Sequence, residues 1–194
     1  MSISSAKTPT GCAADSSDSP LAETERLLLR QVTNADLPTL LELLGNLDVM
    51  RFSVTGPLVP LQVAQVLSKI LQSYHEAPLA LWGVVEKAER RLIGLCGFLP
   101  RKIEECVEWE LAYRFLPAVW GQGLATEATI ACRELAFQQR PVSQIISLIE
   151  PANVASIRVA EKTGLVFRES LQLESLPVLK YVLTRQEGRL IEGR

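Results

Sequence analysis

Apolar residues recur in the first part of the chain with two different spacings, one typical of strands and one of helices. ERLLLRQV (Glu25–Val32) is short and rich in leucine, as a buried strand is. The leucines of Leu37–Leu44 then fall on one helical face behind a capping Thr33 or Asn34, and Leu61–Tyr74 repeats this spacing. This part of the chain therefore predicts one strand followed by two amphipathic helices.

Three strand-like segments come next: LALWGVVE, RLIGLCGFL and CVEWELAYRFL. The third segment, Cys106–Leu116, alternates most clearly between apolar and charged residues. Because successive side chains of a strand point to opposite faces, its apolar residues are predicted to share one face. That set is Val107, Trp109, Leu111, Tyr113 and Phe115, and the opposite set is Cys106, Glu108, Glu110 and Arg114.

The second half of the chain returns to helical spacing and ends in strands. A helix is predicted over about Gly123–Phe137, followed by SQIISLIE, which is typical of a strand buried on both faces. A short helix over Asn153–Thr163 is stopped by Gly164, and LVFRESLQL and VLKYVLTR close the chain as a hairpin. The order predicts an α/β (α+β) domain with a mixed, mostly antiparallel sheet of about seven strands and about four flanking helices.

Composition narrows the kinds of partner. The 194 residues suffice for one domain with its own core, which we assign to residues 23–187. The chain has 20 basic and 22 acidic residues and shows no basic stripe, so no nucleic-acid partner is expected. No apolar run reaches the ~18 residues of a membrane span, so no membrane partner is expected. The single histidine and four scattered cysteines lack metal-ligand spacing, so we expect no metal and a cytoplasmic protein with reduced thiols.

Both ends of the chain are predicted to lie outside the domain. Residues 1–22 are rich in Ser, Ala, Asp and Thr and lack the features of a signal or transit peptide, so a disordered tail is expected there. Residues 188–194 are interpreted as a C-terminal tail. It ends in IEGR, which matches a protease-cleavage sequence used in expression vectors, and we assign it no functional role.

The helix predicted from Gly123 follows the sequence GQG, in which Gly121 and Gly123 leave the backbone bare. The first N–H groups of a helix have no acceptor within the helix and lie at the positive end of its dipole. Together these features favour a phosphate-binding site at the mouth of the helix. A tight turn that needs glycine only for its geometry is the alternative.

Two nucleotide-binding motifs can be compared with this stretch. A P-loop is excluded because no lysine follows Gly123. A dinucleotide-binding turn could use Gly121 and Gly123, with Glu150 at the end of the next strand as the ribose ligand. Its third glycine, however, is replaced by Thr126, and three predicted strands precede a motif that usually opens such a domain. A dinucleotide-binding oxidoreductase is therefore a weaker alternative.

A second motif decides between these possibilities. PANVASIRVAEKTGLVF contains N-x-x-S-x-R-x-x-E-K-x-G, and W-G-x-G-x-A-T-E-A occupies Trp120–Ala128. In these motifs, and in ELAY and KYVLTRQE, the chain resembles the GNAT superfamily of acyl-CoA N-acyltransferases, in its ribosomal-protein N-terminal acetyltransferase-like branch. The resemblance covers about Glu25–Glu187. Gly123 and Ala125 match the end of the family's pyrophosphate motif, whereas Trp120 stands where Gln or Arg is usual.

The resemblance implies a GNAT-type fold and acetyl-CoA as the co-substrate. The pyrophosphate of acetyl-CoA would lie on the helix mouth, where consecutive backbone groups serve as donors. These belong to Gln122, Gly123, Leu124, Ala125 and Thr126.

The resemblance also implies a site for the pantetheine arm. It would follow the strand edge at Arg114, Phe115 and Leu116, where a bulge is expected to separate this strand from the next. Asn153 would cap its helix, bind the pantetheine amide, or do both.

Two catalytic candidates follow from the same resemblance. A protonated amine must lose a proton before it attacks, and Glu110 matches the family's strand glutamate, which would act as the base directly or through a water. The alternative is that Glu110 and Glu108 are both ordinary solvent-facing residues. Ala160 replaces the tyrosine that often protonates the leaving thiolate, so Ser156 is the candidate acid; alternatively, Ser156 bonds only to backbone at the helix start.

The predicted function is acetyl transfer from acetyl-CoA to a primary amine, either a protein N-terminus or a small molecule, by direct attack in a ternary complex. The missing tyrosine leaves open an alternative from another class, a non-catalytic acyl-CoA-binding sensor on the same fold. The protein is expected to be a monomer or a homodimer.

Overall fold

One mixed sheet organises the molecule, and its strands are the alternating and apolar segments of the sequence. The computed structural model describes residues 20–77, 79–139, 142–173 and 176–192, in which eight strands form this sheet. They are β1 (Ala22–Glu23), β2 (Leu27–Arg30), β3 (Leu81–Glu86), β4 (Arg91–Ile103), β5 (Cys106–Phe115), β6 (Gln144–Ile149), β7 (Val166–Leu173) and β8 (Leu176–Thr184).

Helices cover both faces of the sheet with their apolar stripes. The described residues contain α1 (Leu37–Gly45), α2 (Leu47–Met50), α3 (Pro60–Glu76), α4 (Leu124–Gln139), α5 (Val154–Lys162) and α6 (Arg185–Glu192). Helices α1 and α3 bury leucines such as Leu40 and Leu67 on one face, with Leu95 of β4. Helix α4 buries Leu124 and Leu135 on the other face. Each such side chain contributes about 1.5–3 kcal/mol when it is fully buried.

The sheet has the predicted mixed topology. Its strand order is β1-β2-β3-β4-β5-β6-β8-β7, and every neighbouring pair is antiparallel except β5 and β6. Helix α4 connects these two strands, since a parallel pair requires a crossover connection. SQIISLIE forms β6, which is buried on both faces as predicted: Ile145, Ile146, Ser147 and Ile149 are all buried.

The N-terminal boundary lies earlier than predicted. The Leu21 N–H donates to the Leu29 carbonyl (2.8 Å), and Ala22 pairs with Leu29 in the β1–β2 ladder. At least Leu21 and Ala22 of the predicted tail therefore belong to the sheet. A strand of two residues is too short to leave a periodic pattern in the sequence. Residues 1–19 lie outside the described residues.

The C-terminal boundary lies later than predicted, because helix α6 continues to Glu192 where a tail was expected from residue 188. Thr184 and Glu187 form a reciprocal cap at its start. The Thr184 N–H donates to Glu187 Oε2 (2.9 Å), and the Glu187 N–H donates to Thr184 Oγ1 (3.3 Å). The sequence T-x-x-E is the signature of this cap, so the start of α6 could have been found from sequence.

Two further observations concern membrane and metal chemistry in the described part of the chain. None of its helices is long and apolar enough to cross a membrane. It also contains no group of three or more His, Cys, Asp or Glu side chains that could hold a metal ion. Cys96 and Cys132 are free thiols in the core, with their sulfur atoms 3.4 Å apart.

Candidate active site

The mouth of helix α4 exposes backbone donors. Gly121 and Gly123 adopt φ values of 75° and 79°, in the left-handed region that side chains other than glycine rarely adopt. The first intrahelical bond runs from the Glu127 N–H to the Gly123 carbonyl (3.1 Å). Among the described residues, no acceptor binds the N–H groups of Leu124, Ala125 or Thr126. These groups can therefore bind an anion.

An ion-paired arginine lies beside this mouth. Arg26 Nη1 donates to the Gln122 carbonyl (2.9 Å), and Arg26 Nε donates to Glu127 Oε2 (2.7 Å). Thr24 Oγ1 donates to Glu127 Oε1 (2.5 Å). Burial alone would raise the pKa of Glu127, but the hydrogen bonds from Thr24 and Arg26 outweigh it, and the pKa is lowered. Glu127 thus ties the turn between β1 and β2 to the first turn of α4.

Strands β5 and β6 separate next to this mouth. Their ladder contains one register pair, Glu110 with Ile146, and beyond it the Ser147 hydroxyl donates to the Leu111 carbonyl (3.1 Å). No bulge causes the separation, contrary to the prediction, because β4 and β5 pair from Gly94–Phe115 to Ile103–Cys106 without a register shift. We call the unpaired stretch of β5 and β6 beyond this register pair the opening, and Glu110, at the pair itself, its vertex.

The strand edge that faces this opening shares only Phe115 with the predicted edge. The Leu116 N–H donates to the Ile93 carbonyl (2.9 Å), and the Arg114 carbonyl faces Gly94 of β4. Because successive peptide groups of a strand point to opposite edges, the backbone groups of Tyr113 and Phe115 face the opening. The Phe115 carbonyl accepts a bond from Trp120 Nε1 (2.8 Å). Of the three predicted edge residues, Phe115 is thus the one whose N–H faces the opening.

Glu110 is not a solvent-facing residue. Its exposed fraction is 9%, and its Oε2 accepts bonds from Arg101 Nε (2.8 Å) and Nη2 (2.5 Å). The alternative that Glu110 is an ordinary solvent-facing residue is therefore wrong. Glu108 is also largely covered, and its Oε1 accepts a bond from Lys180 Nζ (3.1 Å). Glu108 Oε2 is buried and has no hydrogen-bond partner among the described residues.

The start of α5 carries the Ser156 side chain, and its backbone accepts a bond from a tyrosine of β5. Asn153 caps the helix, with its Oδ1 accepting the Ser156 N–H (3.1 Å). The Tyr113 hydroxyl donates to the Ser156 carbonyl (3.0 Å). Burial raises the pKa of Tyr113 above its ordinary value of 10.0, so the phenol keeps its proton at neutral pH. Ala160, where the family tyrosine is missing, is buried.

The topology does not fit the dinucleotide-binding alternative. Such domains are built on a mostly parallel sheet, whereas the described strands contain a single parallel pair, β5 and β6.

The comparison with known proteins identifies the family. The sequence profile described as "Acetyltransferase (GNAT) domain" matches residues 26–166. This chain belongs to the GNAT acetyltransferase family. It is 33% identical over 159 residues to the Bacillus subtilis uncharacterized protein YkkB, covering 81% of this chain and 92% of YkkB. It is 28% identical over 148 residues to the B. subtilis uncharacterized N-acetyltransferase YoaA, covering 75% of this chain and 82% of YoaA.

Solved GNAT structures share the fold. The aminoglycoside acetyltransferase AAC(6')-Ib in complex with coenzyme A has a TM-score of 0.73 at 21% identity, covering 86% of this chain and 99% of that one. The ribosomal L7/L12 α-N-protein acetyltransferase RimL in complex with coenzyme A has a TM-score of 0.73 at 14% identity. The match covers 86% of this chain and 98% of the RimL chain. The GNAT fold predicted from the sequence is confirmed, and the protein is an acetyl-CoA-dependent N-acetyltransferase.

Sequence reasoning missed three residues that contact the candidate site. Arg26, Arg101 and Tyr113 contact the candidate residues Gln122, Glu110 and Ser156, respectively. Arg26 and Tyr113 contact residues 96 and 43 positions away, and no local pattern links residues so distant in sequence. Arg101 had a weak signal, since adjacent antiparallel strands place it near the glutamates of β5.

Proposed function

We propose that this GNAT enzyme transfers the acetyl group directly from acetyl-CoA to a primary amine in a ternary complex. The observation that carries the proposal is the placement of Glu110 at the vertex where β5 and β6 separate. The bare mouth of α4 lies on one face of the sheet, and the side chains of Glu108 and Glu110 lie on the other. Acetyl-CoA and the amine can therefore approach the vertex from opposite faces.

Acetyl-CoA would be held mainly by backbone groups. The N–H groups of Leu124, Ala125 and Thr126 have the position and dipole to bind its pyrophosphate, with Gln122 and Gly123 completing the loop. The free edge at Phe115 would pair with the pantetheine arm, which corrects the assignment of Arg114 and Leu116 as backbone partners. An N–H group of this edge would also polarise the thioester carbonyl, a contribution of about 10²- to 10³-fold for a well-placed donor.

The Asn153 side chain has one further group to offer the pantetheine arm. Its Oδ1 is occupied by the helix cap, whereas its Nδ2 has no hydrogen bond among the described residues. We therefore assign Asn153 both functions, the cap through oxygen and a pantetheine carbonyl through nitrogen.

Glu110 would take the proton that the amine loses. Its Oε2 is occupied by Arg101, while its Oε1 has no hydrogen bond within the described part of the chain. An ammonium group can bind at Oε1 first and then compete with Arg101, whose side chain is 36% exposed and has room to move. Removal of the ammonium proton leaves the neutral amine beside the thioester.

Ser156 would protonate the departing thiolate. It lies at the first turn of α5, and its Oγ has no hydrogen bond to another described residue. The Tyr113 hydroxyl binds the Ser156 carbonyl and would position this turn. Ser156 would thus provide the hydroxyl group that Ala160, in place of the family tyrosine, lacks.

Two measurements test the proposed function. Acetyl-CoA should raise the melting temperature, and NAD should not. Release of free thiol from acetyl-CoA, followed with a panel of primary amines, should then depend on the amine. Protection by acetyl-CoA without thiol release from any amine would favour the non-catalytic sensor instead.

The compartment and the oligomeric state belong to the same proposal. We propose a cytoplasmic enzyme, which is consistent with the unpaired thiols of Cys96, Cys106 and Cys132. A monomer suffices for the chemistry, because every proposed group comes from one chain. Size-exclusion chromatography with light scattering distinguishes it from a homodimer.

A further inference from the structure

Charged residues cluster on the acceptor side of β5. Leu111 and Phe115 pack in the core under α4, so the alternating residues Glu108, Glu110 and Arg114 point to the opposite face. That face carries α1 and α3, and Arg114 reaches the segment between α2 and α3, where its Nη2 donates to Ser53 Oγ (3.4 Å). An acceptor that approaches Glu110 from this side therefore meets these charges.

Most of these charges are already paired. Both bonds from Arg101 go to Glu110. Lys180 Nζ lies between Glu108 Oε1 (3.1 Å) and Glu169 Oε1 (3.6 Å). Glu110 thus has Arg101 as its cation, and Glu108 and Glu169 share Lys180.

Arg114 is the exception. Among the described residues, no carboxylate oxygen lies within 4.0 Å of its guanidinium group, and the long bond to Ser53 is its one hydrogen bond from the side chain. Burial lowers the pKa of Arg114, the charge of Glu110 opposes that shift, and the charge of Arg101 adds to it. Arg114 is partly buried. A partly buried guanidinium group without a carboxylate partner loses part of its hydration, and a bound anion would offset that cost.

We infer that the acceptor is a primary amine that also carries a carboxylate, and that Arg114 binds this carboxylate while Glu110 receives the ammonium group. The inference rests on the proposed function, since it uses the same vertex. A guanidinium group forms paired, charge-assisted hydrogen bonds with a carboxylate. A polycationic amine would instead bring positive charge towards Arg101 and Arg114, which disfavours it.

The carboxylate takes no part in the chemistry. In the transfer, the amine nitrogen forms a bond to the acetyl carbon and the carbon–sulfur bond breaks. The amine loses two protons overall, one as the ammonium ion to Glu110 and one as the new amide forms. The thiolate takes up one proton, and the other leaves to solvent. Arg114 acts only by binding, so it affects acceptor affinity and orientation.

Matched amines test this inference. Leucine and leucinamide differ only in the carboxylate and test a free amino acid as the acceptor. The amidated peptides Asp-Ala-Ala and Asn-Ala-Ala also differ only in a carboxylate and test a peptide N-terminus with an acidic side chain. An aminoglycoside supplies the polycationic case. Thiol release is measured for each, and kcat/KM is compared at equal concentrations of neutral amine, determined by titrating each amine. The carboxylate partner of at least one pair should react about tenfold faster or more, the size expected for a charge-assisted hydrogen bond.

Variants of Arg114 show whether this side chain is responsible. Arg114→Gln should remove the preference for the carboxylate, mainly through KM, while leaving the amide partner within about threefold and acetyl-CoA affinity unchanged. Arg114→Lys should keep part of the preference, because it keeps the charge without the fork. Arg91→Gln is the control, since Arg91 is an exposed residue at the start of β4 that pairs with Glu89 (2.8 Å).

Binding distinguishes failure of the inference from failure of the proposed function. Calorimetric titration of the wild-type and Arg114→Gln proteins, each saturated with CoA, measures amine binding without turnover. Carboxylate-dependent binding that is lost in Arg114→Gln, with no thiol release, would support the inference and contradict the proposed catalysis. Turnover that is equal or faster with the amides or the aminoglycoside would overturn the inference and leave the catalysis intact. A carboxylate preference that persists in Arg114→Gln, or no binding of any carboxylate-bearing amine, would also overturn it.

Discussion

Glu110 and Glu108 lie two positions apart on the same face of β5, yet the structure gives them different surroundings. Glu110 stands at the vertex of the opening, with one oxygen bound by Arg101 and the other free of hydrogen bonds to described residues. Glu108 is held by Lys180. Glu110→Gln should therefore lower kcat by roughly 10²- to 10⁴-fold, the usual contribution of a positioned base, with acetyl-CoA affinity near wild type. Glu108→Gln, the matched control, should retain activity within a few-fold.

A pH–rate series checks the assignment of Glu110. The rate of Glu110→Gln should still rise with pH, because raising the pH supplies neutral amine without a base. An α-amine acceptor, with a pKa of about 8, should reach its plateau well below a lysine acceptor, with a pKa of about 10.4. A variant within threefold of wild type throughout would leave positioning of the substrates as the mechanism.

Ser156 and Tyr113 allow a second test at the residue scale. Ser156→Ala should lower kcat by about 10²-fold if its hydroxyl protonates the thiolate, with unchanged acetyl-CoA affinity. Tyr113→Phe removes the bond to the Ser156 carbonyl and should have a smaller effect, since Tyr113 acts through the position of the turn. Ser170→Ala on β7 is the control. Equal kinetics of Ser156→Ala and this control would exclude Ser156 as the acid.

The residues of the site were predictable where a motif carried them. Glu110, Asn153 and Ser156 were assigned from their motifs, and their roles stay predictions. In the structure Glu110 lies at the β5–β6 register pair, Asn153 caps α5, and the Ser156 carbonyl accepts a bond from Tyr113 of β5. Two features depend on which face of the sheet is covered: the ion pair of Arg101 with Glu110, and the lack of a carboxylate partner for Arg114 among the described residues. Single-sequence periodicity indicates the two faces of a strand but not what covers each of them.

At the scale of elements, the turn before α4 combines an unusual backbone conformation with open space. A Cβ atom on Gly123 would meet only Arg26 Nη2, at 3.7 Å, so the site has room for a ligand there. Gly123→Val should weaken acetyl-CoA binding at least tenfold, about 1.4 kcal/mol, because a branched side chain would enter the path of the pyrophosphate. Calorimetric titration measures this loss.

Gly56→Val is the matched control for backbone strain. Gly56 also has a positive φ (61°) and open space around its Cβ position, but it lies between α2 and α3. Both variants should lose stability through strain of about 1–3 kcal/mol. Gly123→Val alone should lose affinity, and unchanged affinity in a folded Gly123→Val protein would contradict a phosphate-binding mouth.

The contact between α4 and the β1–β2 turn should respond to pH. The folded-state pKa of Glu127 lies below its ordinary value of 4.5, so its stabilisation is complete above that value and is lost as the pH falls through the folded-state pKa. Glu127→Gln should lower the melting temperature by about 2–4 °C at pH 7, for a contact worth about 1 kcal/mol, and the difference should close as the pH falls below the folded-state pKa. Glu42→Gln, on the exposed side of α1, is the control for the loss of a surface carboxylate.

Elements with long periodic patterns were predicted well, and short or capped ones were not. The seven strands and four helices predicted from spacing are present, with ends shifted by a few residues. The additional β1 depends on pairing with β2 and has no pattern of its own. Two helices, α2 and α6, are also additional. Helix α2 has only four residues, and α6 starts at a capping sequence directly after the strand pattern of β8.

At the scale of the whole molecule, the N-terminal boundary can be tested by truncation. Removal of residues 1–19 should leave the melting temperature and acetyl-CoA affinity unchanged, because their composition supports no packed core. Removal of residues 1–24 should lower both, because it deletes β1 and the hydrogen bond from Thr24 to Glu127 at the mouth of α4. Thermal unfolding and titration of both proteins measure these effects. A large loss in the shorter truncation would mean that the first 19 residues contact the domain.

The sheet has an unbroken strand order, but its main-chain pairing is incomplete because β5 and β6 separate. Strands β1–β5 and β6–β8 form two ladders joined at one register pair and at the Ser147 hydroxyl. Amide groups at such a seam open more readily than those inside a full ladder. A pantetheine arm paired with Phe115 would supply part of the missing ladder. The substrate would then be a temporary strand of the protein, and the enzyme would reach its most rigid form only when loaded for reaction.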